Sequence, residues 1–404
     1  MPSSIGLRRD QRLLPLLGAL VAFGPMAIDL YLPALPAIAA GLGASIETIQ
    51  RSVTVFLAGF ALGMLFYGPV SDRYGRRIVM LTGIALFSAA SIVCTLATAG
   101  DELIVARFVQ ALGGGAASVL ARAVVRDLFP PSVAIRNLSL MAMITAIAPL
   151  AAPLLGSFFL GFSGWRGVFA VLLLYGLVML GAVWRWLPES LPEERRGQLK
   201  LHQAFTAYGV FAKDPFAVGL LIASGMSFAA MFAYITAGPF YFMTTWNLSP
   251  FAYSSLFAVN ALGIICTNLL NSRLVILIGP EKIASFGSAI SFVAGISLLA
   301  SILFFHALFP VIASLFLVVS MTGLLGANCV GLLMTAYGEN VGAAAALFGA
   351  CQFGLGVMAS ASVSFPHSDP GTSMAWTIAL TTSMSLAGTV LFRTCAPRPK
   401  SSGQ

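Results

Sequence analysis

Long apolar runs separated by short polar breaks make up nearly the whole chain. At a rise of 1.5 Å per residue, a run of about 20 residues matches the roughly 30 Å hydrocarbon core of a bilayer. Twelve such runs are predicted as membrane-spanning helices, at about 13–38, 47–70, 78–99, 102–127, 137–160, 165–187, 215–242, 250–272, 283–304, 309–335, 341–363 and 373–393. The first follows Arg8, Arg9 and Arg12, and "PAIAAG" (36–41) imitates a small-residue cleavage site. A stretch from Leu13 to Ala40 that carries Asp29 and several prolines is too long for a signal h-region, so it is read as an uncleaved first span.

Composition agrees: 58% of residues are hydrophobic and only 9% are charged, far from a soluble domain. The net charge of +8 then needs an explanation, and the position of the basic residues supplies it. With both termini cytoplasmic, all of the 22 lysines and arginines fall on the cytoplasmic side except Arg51 and Arg166 outside and Arg107 within the fourth span. The charge is therefore a topology signal, and no nucleic-acid partner is implied. The five cysteines form no CxxC pair and have no histidine at ligand spacing, so no metal site is expected. None of the four lysines follows a glycine, which excludes a GxxxxGK[ST] phosphate loop, and no cofactor is expected. His202, His306 and His367 all lie outside the spans, which argues against both a histidine proton relay and an intramembrane enzyme.

The longest polar interval, "PESLPEERRGQLKLHQAFTAYGVFAKDP" (188–215), divides the spans six and six. The expected organisation is an N-terminal six-helix half at 1–187, a cytoplasmic linker at 188–213 and a C-terminal half with a short tail at 214–404. A decayed internal echo joins the halves: "ALGMLFYGPVSDR" (61–73) aligns with "ALGIICTNLLNSR" (261–273), with Ser272 opposite Asp72. Paired six-span repeats suit alternating access, with a ligand site near the midplane.

Three motifs carry a family resemblance over nearly the whole chain. "GPVSDRYGRR" (68–77) resembles the signature loop between spans 2 and 3 of the major facilitator superfamily, and "LIVARFVQALG" (103–113) resembles its span 4 motif, with Arg107 at the motif's arginine. "APLAAPLLGS" (148–157), with Pro149, Pro153 and Gly156, resembles the span 5 antiporter motif, although Ala148, Ala152 and Pro153 stand where glycines are usual. Within the superfamily, "MAIDLYLPALP" (26–36), "RAVVRD" (122–127) and "SGMSFAAMF" (224–232) are similar to the bicyclomycin resistance (Bcr/CflA) drug:proton antiporters. The resemblance implies an all-α integral membrane fold of twelve transmembrane helices in two six-helix halves, with spans 1, 4, 7 and 10 around a central cavity.

The charged loop has its own physical reading. Gly68 and Gly75 permit a tight turn, while Arg73, Arg76 and Arg77 hold it on the cytoplasmic side. Asp72 suits either a helix N-terminus or Arg126, so these residues are expected to form a cytoplasmic gate. Asp29 is the informative acid, because a carboxylate inside a span costs about 2.5–3.5 kcal/mol on insertion scales. Asp29 and Arg107 differ by only about 6 Å in expected depth, so they are candidates for facing one another and for proton coupling. Burial and a neighbouring arginine act on a carboxyl in opposite directions, and the sequence leaves the winner open. The alternative role for Asp29 is to satisfy backbone groups freed by Pro33.

Substrate selectivity would come from apolar and aromatic side chains that repack, with Tyr31, Phe228, Met231, Phe232, Tyr234 and Asn260 as candidates. Gly113, Gly114 and Gly115 read instead as close helix contacts. The expected protein is a monomeric, multi-pass inner-membrane exporter of small hydrophobic antibiotics, such as bicyclomycin-, chloramphenicol- or sulfonamide-like compounds, driven by protons. A sugar or amino-acid transporter on the same fold is the alternative.

Overall fold

A computed structural model describes residues 4–196, 211, 213–337, 341–364 and 369–395. Most of the expected linker, with Lys200 and His202, lies outside the described residues, as do His367, Arg398 and Lys400. Helix dominates because an apolar environment leaves each backbone N–H and C=O to find its partner within its own segment. The helices are α1 (Ser4–Val21), α2 (Phe23–Asp29), α3 (Leu35–Leu42), α4 (Ile46–Tyr74), α5 (Arg76–Leu96), α6 (Gly100–Leu128), α7 (Pro131–Trp186), α8 (Pro215–Phe240), α9 (Pro250–Ile278), α10 (Pro280–Ala300), α11 (Leu308–Ala336), α12 (Val341–Val363) and α13 (Pro370–Thr394).

Eleven stretches of helix among the described residues are long and apolar enough to cross a membrane. The difference from twelve runs lies in α7, whose apolar part, Arg136–Trp186, is 51 residues long. That is about 76 Å of helix, more than twice the hydrocarbon thickness, and so two crossings. The two meet at Gly164, where φ of +68° and ψ of −175° break the helical geometry between the predicted runs.

The first span is broken rather than continuous. A turn follows α2 at Asp29, and a 3-10 turn at Leu32–Ala34 with Pro33 near its start leads into α3. Pro33 has no N–H to give to the carbonyl of Asp29, so the helix cannot run through.

By packing, the chain forms two units, Met1–Leu201 with Ile235–Leu262 and Ser360–Ser373, and His202–Tyr234 with Gly263–Ala359 and Met374–Gln404. In the first unit α4 and α5 both lie against α6, and α7 covers α5, α1 and α2. The contact is close because of the predicted glycine run: a Cβ on Gly113 would stand 2.5 Å from the Gly83 carbonyl oxygen and from the Phe87 nitrogen. The second unit has its own core, in which Phe216, Leu220, Leu325, Leu333, Phe348 and Phe392 are buried together.

Candidate functional site

The break in the first span positions the central acid. Asp29 is the last residue of α2 and is 4% exposed. Among the described residues its carboxyl has neither a hydrogen bond nor an ion pair, including to the backbone around Pro33. Directly beyond it, the backbone of Leu30 meets Gly156 of α7, where any Cβ would collide with the Leu30 carbonyl oxygen. Pro153, one turn earlier on α7, leaves its carbonyl oxygen to accept the Ser254 hydroxyl of α9 at 2.9 Å. Two of the antiporter-like residues thus bear on the broken span or on α9, while Pro149 lies within α7 one turn before Pro153.

Arg107 is completely buried on α6, but it does not pair with Asp29. Its Nη2 donates to the Ala27 carbonyl at 3.0 Å and its Nη1 to Gln110 Oε1 at 2.5 Å. Ala27 lies in the last turn of α2, where carbonyls lack intrahelical partners and the helix dipole favours a cation. Similar depth was therefore insufficient: the guanidinium takes the end of the helix instead of the carboxylate on it. Its faces lie 4.2 Å from the Tyr31 ring centroid and 4.0 Å from that of Phe56, with Phe169 at 5.9 Å. Desolvated cation–π contacts of this kind contribute about 2 kcal/mol each and help to offset a buried charge that has no counter-ion among the described residues. Gln110 Nε2 passes the network on to Ser91 Oγ at 2.7 Å, and the Tyr31 hydroxyl meets Ser52 Oγ at 2.6 Å.

At the other end of these helices, the charged loop closes on itself. Gly75 adopts φ of +97° between α4 and α5, a conformation side chains rarely take. Arg76 Nη2 lies 2.6 Å from Asp72, Nε 3.1 Å from Asp127 Oδ2, and Nη1 donates to Ser71 Oγ at 2.5 Å. Gly68 contributes its carbonyl to Arg76 at 3.4 Å, and Arg73 lies over the Tyr74 ring. The expected pairing of Asp72 with Arg126 does not form. The α6 side chain that joins the loop is Asp127, because consecutive helical residues point about 100° apart and only one of the two can face it. Asp72 does not cap a helix either. The α5 N-terminus is capped by Glu189, whose carboxylate accepts the backbone N–H of Arg76 at 2.8 Å and of Arg77 at 3.1 Å. Arg77 also donates to the Trp184 carbonyl at 2.6 Å, tying the loop to the end of α7.

The candidate cavity residues separate into two groups. Tyr31 and Asn260 belong to the first unit, and Asn260 is buried with neither amide atom hydrogen-bonded among the described residues. Phe228, Met231, Phe232 and Tyr234 belong to the second, where the Phe228 and Phe232 rings pack on Phe353 at 5.4 and 6.1 Å. Sequence reasoning missed Phe353, and it missed two polar pairs in the same unit, Ser224 with Gln352 at 3.0 Å and Ser227 with Thr322 at 3.3 Å. It also missed Gln110, although a spacing of three from Arg107 on a helix was a usable signal. In the first unit the hydroxyls of Thr54 on α4 and Thr236 on α8 both meet Ser360 on α12 at 2.7 Å. No group of three or more His, Cys, Asp or Glu side chains suited to a metal occurs among the described residues.

Residues 17–361 match the model of the Major Facilitator Superfamily. The chain belongs to that superfamily. As a superfamily transporter it is 28% identical over 362 residues to the bicyclomycin resistance protein homolog of Haemophilus influenzae, covering 90% of this chain and 91% of that one. It is 29% identical over 282 residues to the multidrug resistance protein MdtL of Klebsiella pneumoniae, covering 69% and 71%. Both agree with the resemblance to the Bcr/CflA exporters. Among solved structures, a D-xylose-proton symporter superposes with a TM-score of 0.73 over 98% of this transporter and 99% of its own chain. At 18% identity that likeness concerns the fold alone.

Proposed function

We propose that this transporter expels small hydrophobic drugs across the inner membrane in exchange for protons, by alternating access and as a monomer with both termini cytoplasmic. The observation that carries this reading is Asp29, a buried carboxyl in a broken span with no hydrogen bond or ion pair among the described residues. A structural carboxylate at such depth is expected to be hydrogen-bonded or paired, whereas a proton carrier must be free to change state. Arg107 positions the broken segment through the Ala27 carbonyl, two residues before Asp29. The names of the Haemophilus and Klebsiella relatives support drugs as the substrate class. So do the Phe228, Phe232 and Phe353 rings, which offer apolar surface without a fixed hydrogen-bond pattern. One proton crossing 100 mV releases about 2.3 kcal/mol, enough for a roughly fiftyfold substrate gradient.

The Ser224–Gln352 and Ser227–Thr322 pairs favour a second reading, transport of a polar metabolite on the same fold. Inverted membrane vesicles energised by respiration separate the two. Uptake of bicyclomycin-, chloramphenicol- or sulfonamide-like compounds that collapses on adding an uncoupler supports drug–proton exchange. Uptake confined to sugars or amino acids would replace it with the metabolite reading.

A further inference from the structure

A groove of about 470 Å³ runs between α1 and the end of α7, and nothing in the drug–proton reading uses it. Its walls are apolar, with Pro15, Leu16 and Ala19 on one side and Val178, Met179 and Ala182 on the other, and Arg185 and Trp186 stand at one end. The volume is within the roughly 300–1,000 Å³ of ligand sites. Two details show that the groove is open rather than a packing flaw. Gly181 is exposed and a Cβ on it would meet nothing within 4 Å, so the groove is open beside it. Arg185 is exposed and has neither a hydrogen bond nor an ion pair among the described residues. An unpaired cation at the end of an apolar channel in a membrane-spanning helix calls for an amphiphile with an anionic head. Trp184 and Trp186, 67% and 47% exposed, flank that cation as aromatic residues do at the level of lipid headgroups. From Val178 to Arg185 the helix rises about 10 Å, the length of a portion of an acyl chain.

We infer that this groove is a binding site for one anionic phospholipid, its acyl chain between α1 and α7 and its phosphate on Arg185. Charge complementarity selects this occupant over a neutral lipid or an uncharged drug, since apolar walls alone would accept any of them.

The test uses the full chain in nanodiscs of phosphatidylcholine, titrated with phosphatidylglycerol and read by native mass spectrometry after partial delipidation. The wild type should retain one phosphatidylglycerol with at least tenfold preference over phosphatidylcholine. Gly181→Phe, whose Cβ would meet nothing within 4 Å, and Arg185→Gln should each reduce retention at least fivefold, while Arg166→Gln should not. Thermal unfolding of Gly181→Phe and Arg185→Gln without added lipid should match the wild type, which separates loss of the site from loss of fold. Equal retention by Gly181→Phe would overturn the inference, as would equal retention of phosphatidylcholine. Displacement of the lipid by inorganic phosphate alone would show a headgroup site without a groove, and displacement by a transported drug in a one-to-one ratio would show a drug site. Either result overturns the assignment.

Discussion

Gly75 and Glu189 are predicted to be strongly coupled, and the coupling can be worked out from the loop's geometry. Alanine at Gly75 must adopt φ of +97°, a strain of about 1–3 kcal/mol. Its Cβ would also stand 2.6 Å from Glu189 Oε2, closer than real contacts allow, so the carboxylate must shift, and the expected outcome is loss of its cap. The carboxylate accepts two of the orphan N–H groups that begin α5, at 2.8 and 3.1 Å. Hydrogen bonds to a charged group contribute about 1.5–3 kcal/mol each when shielded, and partial exposure brings this pair to about 2–3 kcal/mol together. Gly75→Ala should therefore cost about 3–6 kcal/mol and Glu189→Ala about 2–3 kcal/mol. The double variant should cost no more than Gly75→Ala alone, because the cap can be lost only once. Unfolding of the purified transporter by SDS titration, followed by tryptophan fluorescence, measures all three. Costs that add to within about 0.5 kcal/mol would refute displacement of the Glu189 cap by a side chain at residue 75, and no cost for Glu189→Ala would refute the cap itself.

Three further outcomes follow from the same structure. Gly113→Val would force α5 away from α6 and should destabilise by about 1–3 kcal/mol or more in the same titration, whereas Gly161→Ala, where a Cβ meets nothing within 4 Å, should be close to neutral. Tyr31→Phe keeps the ring against Arg107 and loses the hydroxyl that meets Ser52, costing about 1 kcal/mol, while Tyr31→Leu also removes a cation–π face and should cost about 2–3 kcal/mol. Oxidation of the double variant Thr54→Cys with Ser360→Cys should form a disulfide that stops transport reversibly, since their hydroxyls are 2.7 Å apart and the proposed alternating access would separate α4 and α12 there. Full transport with the disulfide in place would show that this contact is not a gate.

The sequence made the helical membrane architecture legible because span length and apolar composition are fixed by the bilayer and not by partner residues. Gly113 to Gly115 were legible as a close helix contact for a similar reason, since only absent side chains permit it. The partners of charged residues were harder to read. Depth placed Arg107 beside Asp29, but rotation about the helix axis and the free carbonyls ending α2 decided where the guanidinium went. The same rotation exchanged Arg126 for Asp127 at the loop. Glu189 escaped notice because it is more than a hundred residues from the helix it caps, and local patterning carries no trace of that approach. Asp29 is the reverse case: the sequence marked it as costly, and the structure adds that no hydrogen bond or ion pair among the described residues offsets the cost.

The most direct test of the central claim is drug-driven proton release from inverted vesicles, comparing the wild type with Asp29→Asn at matched expression. The wild type should release protons on adding a hydrophobic antibiotic, and the Asp29→Asn transporter should fold normally, still bind the drug and release no protons. Proton release by Asp29→Asn equal to that of the wild type would contradict the claim and place the coupling group elsewhere in the chain.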